Sequence, residues 1–260
     1  MQKFNEDTRV KIPATIQFLK IGCNYQSLKD DKLDIDFNTK IFINRFKPAI
    51  EKINHREISY DEIKQLLDEI NNLIRNNDLG KEFYFRLINP QDKLKLIDFD
   101  NIENNDFAIV DELPFSITPD SDVGSFRPDI NVLINGIPLA FLEVKKPNNE
   151  GGIQKEFKRM INDRLKNGAF KKYFNLIQIV AFSNNMEYED SDEAEDVRAG
   201  SFYTTPNGNN TSFSFFREDD ELYNLKYDYK KISEEEIKNI TKDLGYDKKV
   251  CDTDEFKENL

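Results

Sequence analysis

Residues 127–147 read RPDINVLINGIPLAFLEVKKP. Asp129 opens an apolar run that stops at Asn135-Gly136, and a second run, interrupted by Pro138, ends in Glu143-Val144-Lys145. Asn-Gly between two apolar runs is the strongest short-range sign of a β-hairpin, because its tight turn needs positive φ at both central residues. The stretch therefore reads strand, turn, strand, with Asp, Glu and Lys brought to one end. Metal-assisted hydrolysis of a phosphodiester needs carboxylates to hold the metal, an activated water and stabilisation of developing charge. Asp129 and Glu143 are the candidate metal ligands, helped by the Val144 carbonyl. Lys145 is the candidate to orient the water or stabilise charge.

This reading makes a geometric demand. A two-residue turn pairs residue 134 with 137, which sets Glu143 opposite Pro128 and turns Asp129 to the other face of the sheet. For the two carboxylates to meet, the register must shift by one. A bulge or three-residue loop near Gly136 to Pro138 is expected, or a bend at Asp129. Proline cannot donate to the ladder, which makes Pro138 a plausible place for an irregularity. Glu-x-Lys alone is a weak signal, since it begins at Glu62, Glu143, Glu156, Glu236 and Glu255. Four of these fall on expected helices or the tail, where they are surface charge. A hairpin whose polar ends merely reach solvent is the competing reading of the bare pattern.

Around the hairpin the periodicity predicts helices over 5–21, 37–54, 59–76, 153–167 and about 233–243, with Pro13 expected to kink or divide the first and Pro48 to kink the second. Short strands are expected at 25–28, around Phe83 to Leu87 and Leu94 to Leu96, and over 106–118, 201–204 and 212–217. LIQIVAF (176–182) is an unbroken apolar run of the kind found in a buried central strand. Strands and helices in this order predict an α/β fold. Residues 1–230 read as one domain and 231–260 as a terminal helix and connector.

Composition excludes several chemistries. His55 is the single histidine and there are two cysteines, Cys23 and Cys251, so Cys/His zinc sites lack ligands and a Ser-His-Asp arrangement lacks a motif. The cysteines read as reduced thiols. No phosphate-binding loop of the G-x-x-x-x-G-K-[ST] form occurs, no apolar run is long enough for a membrane span, and no secretory signal opens the chain; a cytoplasmic protein is expected. The net charge of -12 argues against binding nucleic acid through overall charge. Residues 153–172 differ, with seven basic residues against two acids, and Gly151-Gly152 opens this helix with unpaired N–H groups. It is a candidate phosphate-contact helix; a solvated face is the plainer alternative. The acidic segment 187–196 reads as a solvated loop.

With these residues in view, RPDINVLINGIPLAFLEVKKPN resembles the PD-(D/E)xK nuclease core of the R (restriction and translocation) subunits of type I restriction-modification enzymes. NEDTRVKIPATIQFLKIG resembles the first helix of that domain, and VAFSNNMEY and SFYTTPNGN with FSFFRE resemble its second half. The resemblance covers residues 1 to about 220. It implies a restriction-endonuclease-like α/β fold, a mixed central sheet flanked by helices, and a Mg²⁺-dependent endonuclease acting on double-stranded DNA. It implies ATP-driven motor domains elsewhere in the full subunit, and modification and specificity subunits as partners. By position it assigns catalysis to Asp129, Glu143 and Lys145, and a further metal-site acid to Glu6. Many members of the family carry a Gln and an aromatic residue on the helix after Glu-x-Lys; Gln154 is the nearest Gln here, and Lys158 stands at the aromatic position, a departure from that pattern. With the basic residues Lys155, Lys158 and Arg159 of the same helix, Gln154 completes the candidate DNA-contact set. A stand-alone repair or junction nuclease on the same core, and a docking domain with a dead site, are the alternatives.

Overall fold

The computed structural model describes residues 10–91, 93–115, 126–146, 152–184, 201–205, 214–216 and 229–245. Among the described residues seven strands form a single sheet: β1 (Asn24–Tyr25), β2 (Phe107–Asp111), β3 (Ile130–Ile134), β4 (Ile137–Val144), β5 (Ile179–Ser183), β6 (Ser201–Thr204) and β7 (Ser214–Phe216). They lie side by side in chain order. The β1–β2 and β4–β5 pairs are parallel and the others antiparallel, so the sheet is mixed. The parallel step to β5 is made by the segment 152–178, which crosses over one face.

Alternation along β3 separates the two faces. Ile130 joins Leu19, Cys23 and Ile109, with Val132 and Leu142 packed alongside. This face is covered by α1 (Ile12–Lys20) and α7 (Glu234–Asp243), whose Ile240 is buried in the same cluster. The opposite face carries Phe141, Val180 and Phe182 under α5 (Gly152–Arg159) and α6 (Lys171–Leu176). A separate lobe is built by α2 (Ile43–Asn54), α3 (Tyr60–Leu73) and α4 (Lys81–Ile88), which pack Phe46, Ile50, Leu67, Ile70 and Phe83 against Ile137 and Leu139 of β4. Local signals fix several helix ends. Ser59 and Ser233 each accept from the N–H three residues on and are answered by Glu62 and Glu236, so both helices start on a capping box. His55 ends α2 in the left-handed conformation.

Three expectations need correction. Residues 81–88 form a helix rather than a strand: Phe83 and Leu87 are buried while Phe85 is half exposed, a spacing of four that the dense Phe/Tyr composition disguised as alternation. Leu94 and Leu96 lie outside any strand. Pro13 lies in the first turn of α1, directly after the π-helical pair Val10 and Lys11, so it stands where one helical geometry gives way to the other, as a dividing proline should. The basic stretch 153–172 is not one helix. It runs from α5 into a π-helical segment (Met160–Leu165), a 3-10 turn (Gly168–Phe170) and α6, and its charges diverge accordingly. The segment 187–196, Cys251 and the connector after 245 lie outside the described residues.

Candidate active site

The hairpin turns on two residues, as Asn-Gly predicts: Ile134 pairs with Ile137 and Leu133 with Pro138. Val132 then pairs with Ala140, leaving Leu139 as an extra residue on β4. From there Asn131 faces Phe141 and Ile130 faces Leu142, and the next position sets Asp129 beside Glu143. The required shift therefore exists, one residue beyond Pro138. The turn itself is tightly held. Asn135 (φ +53) is fully buried, and its side chain donates to the Leu96 carbonyl and to Asn105 Oδ1, each over 2.8–2.9 Å. It also accepts from the Asp106 N–H. Gly136 has φ +76, and a Cβ there would meet the Phe42 carbonyl at 2.7 Å.

Asp129 and Glu143 converge on the face covered by α5 and α6. Asp129 is half buried and accepts the Val144 N–H at Oδ2 over 2.9 Å. Glu143 is only 5 % exposed, beside Phe182 across the parallel ladder. Burial pushes its carboxyl well above the usual range; the Asp129 charge and a hydrogen bond to Asp129 add to the shift, and Glu156 adds again, while Lys145 opposes it. A dry, aromatic floor explains the desolvation. Phe141 lies under the pair, Phe126 meets it edge-on at 5.6 Å, and Tyr173 stacks on it at 6.0 Å. Tyr173, fully enclosed and close enough to feel the Glu143 charge, donates to Asn131 on the same strand face. Two acids pressed together in such a place disfavour their own ionisation, and a bound cation offsets that cost. The carboxylate pair therefore fits a divalent metal. Among the described residues no group of three or more His, Cys, Asp or Glu gathers for a metal, so the candidate set is these two carboxylates and a main-chain carbonyl. That carbonyl, Val144 O, accepts from Lys145 Nζ at 2.9 Å.

Lys145 leaves the sheet beside Ser183, whose carbonyl accepts its N–H. Its side chain lines a cleft of about 500 Å³ together with Lys155, Glu156, Lys158, Arg159, Asn162 and Asp163. Lys155, Lys158 and Arg159 are exposed along α5. Three of the DNA-contact candidates thus share one cleft with the candidate catalytic lysine. The other basic residues of the stretch do not: Lys171 donates to the Arg75 carbonyl, and Lys172 to Asn71 at 3.1 Å, which ties the crossover to the end of α3. Glu6 lies outside the described residues, as does the side chain of Gln154.

Two charged residues at this site carry no motif of their own in the sequence. Glu156, 12 % exposed and paired to Arg159 at 3.3 Å, faces the carboxylate pair from α5. Arg164 approaches from the π-helical segment. Both appear in the sequence only as members of a charged run, and their placement depends on the crossover packing back onto the sheet. At the far end of β2, the buried Lys11 pairs with Glu112 at 2.6 Å, and the Glu112 N–H donates to the Asp129 carbonyl.

A mixed sheet flanked by helices, with Asp, Glu and Lys gathered at the open end of a central hairpin, defines a restriction-endonuclease-like α/β fold. The chain belongs to the family of type I restriction enzyme R protein N-terminal regions, whose family model matches residues 3–190. Relatives in Methanocaldococcus jannaschii carry corresponding names. The chain is 30% identical over 211 residues to the type I restriction enzyme MjaIXP endonuclease subunit, covering 71% of this chain and 19% of that protein. It is 32% identical over 130 residues to the MjaVIIIP endonuclease subunit, covering 50% of this chain and 12% of that protein. The chain thus spans about a fifth or less of the length of these curated relatives. Among the described residues no helix is long and apolar enough to cross a membrane.

Proposed function

We propose that this chain is the DNA-cleaving domain of a type I restriction enzyme R subunit and hydrolyses phosphodiester bonds of double-stranded DNA with Mg²⁺. One observation carries the reading: the extra residue at Leu139 restores the register that puts Asp129 and Glu143 side by side. A hairpin with merely solvated ends has no use for two carboxylates driven together in a desolvated place.

In this reading Asp129 and Glu143 hold Mg²⁺, with the Val144 carbonyl as the third protein ligand and Glu6 supplying a further acid. The metal supplies Lewis-acid activation of the phosphate and of a water. Lys145, kept near both carboxylates, orients that water and balances negative charge as it grows. Lys155, Lys158 and Arg159, with Gln154, receive the phosphate backbone along α5, and the Phe141–Tyr173 floor excludes bulk water from beneath the acids. Recognition of a DNA sequence and ATP-driven translocation fall to the modification and specificity subunits and to motor domains of the full-length R subunit.

The test is a Mn²⁺-soaked crystal read by anomalous scattering. A peak between Asp129 and Glu143, absent in Glu143→Gln, is expected. A refined structure with no peak there at millimolar Mn²⁺ would sink the reading.

A further inference from the structure

Arg164, in the crossover, is held by aromatic rings and, among the described residues, is not paired with an acid within ion-pair distance. Its guanidinium lies 4.7 Å from the centroid of Phe126 and 5.7 Å from that of Phe170. Phe126 also packs on Phe141, which precedes Glu143 by two residues on the same strand face. A planar cation is therefore seated on the aromatic wall of the carboxylate site. Its neighbours are engaged otherwise: Arg159 with Glu156, Lys166 with Asn162, and Lys171 and Lys172 with the end of α3. Arg164 also belongs to a π-helical segment, a geometry that is uncommon and concentrates at functional places.

We propose that Arg164 grips the non-bridging oxygens of the phosphodiester held at Asp129 and Glu143, an inference that rests on the nuclease reading above. A guanidinium presents parallel N–H donors that match two phosphate oxygens, which a lysine ammonium does not. Stacking on two rings fixes the plane of that fork before the substrate arrives, so little side-chain freedom is lost on binding. Burial and the neighbouring Arg159 charge work against the Arg164 cation, while Glu143, Glu156 and Asp163 favour it, so a bound phosphate would relieve a cation that the empty site leaves incompletely balanced. Arg164 thereby differs from Lys155 and Lys158, which lie exposed on α5 and meet the backbone away from the acids.

The experiment measures binding of the 260-residue chain to a short fluorescent DNA duplex by anisotropy, in Mg²⁺ and in EDTA at matched ionic strength, across a salt series. Wild type, Glu143→Gln, Arg164→Gln, Arg164→Lys and the control Lys166→Gln are compared, with folding checked by circular dichroism. Wild type is expected to bind more tightly in Mg²⁺, and Glu143→Gln to lose that gain. Arg164→Gln should weaken Mg²⁺-dependent binding by about tenfold or more and flatten the salt slope by about one ion. Arg164→Lys should recover the salt slope but only part of the affinity, and it still reads the proposal if the Gln variant folds poorly. Arg164 variants that match wild type, while Glu143→Gln loses the Mg²⁺ gain, overturn the role of Arg164 and leave the nuclease reading intact. A wild-type chain that shows no Mg²⁺-linked gain removes that reading and this inference with it.

Discussion

At the residue scale, two buried acids set the terms. Asp111 at the end of β2 is pushed up to about 6, first by burial; Lys11, Tyr25 and Thr15 pull the other way, and Glu112 adds to the rise. Among the described residues its Oδ2 has no hydrogen-bond partner. An acid whose folded pKa lies above its unfolded value, near 3.9, binds its proton more tightly in the native state. Its contribution to stability therefore falls as pH rises from about 4 to about 6, and the cost is in full force at pH 7. Asp111→Asn should raise stability at pH 7 by about 1–3 kcal/mol and flatten that decline. Urea unfolding at pH 5 and 7 checks this; a variant weaker at both would mean that the carboxylate is needed by Lys11. Glu143 is raised in the same direction, so Glu143→Gln should melt higher than wild type in EDTA. Mg²⁺ should stabilise only the wild type, since binding to the native state alone raises stability by mass action; differential scanning calorimetry separates the two. Asp129, Glu143 and Lys145 were legible in the sequence because they flank a recognisable turn. Glu156 and Arg164 were not, because an i,i+3 charged run looks the same on any solvated helix.

At the scale of elements, the hairpin was readable and its irregularity nearly so. Pro138 pointed to the neighbourhood of the shift, yet the sequence could not say whether the ladder would break at the proline or after it, since that depends on how Ile137 and Leu139 seat against α2 and α3. Helix α4 was misread for a related reason. KEFYFRLI satisfies a period of two (Phe83, Phe85, Leu87) and a period of four (Phe83, Leu87) in its apolar residues, and only the lobe it packs against decides. The turn is the element most sensitive to change. Gly136→Ala forces a Cβ against the Phe42 carbonyl at 2.7 Å and the Phe46 nitrogen at 2.8 Å, on a backbone that alanine resists. It should cost more than about 1 kcal/mol and blunt metal binding, because the register of both strands is set there. Thermal melting with and without Mn²⁺ reads both effects. Unchanged melting would show that the α2 contact yields more easily than its geometry implies.

At the scale of the molecule, a chain of net charge -12 carries a local basic cleft beside its candidate site. Repulsion from the whole opposes what the cleft attracts, so duplex binding by this chain alone should be weaker than about 10⁻⁶ M at physiological salt and strengthen steeply as salt falls. Tight, salt-insensitive binding in an anisotropy titration would contradict that balance. Sheet order is chain order, so during synthesis on the ribosome each strand meets its neighbour as soon as it emerges, with no gap to be filled later. The carboxylate pair can form once β4 is out. The apolar face under α1 is different: it is made early, yet the helix that covers it, α7, is delivered only near the end of this chain. A nascent chain halted before residue 234 would present part of that greasy face to chaperones, and release from them would wait on α7.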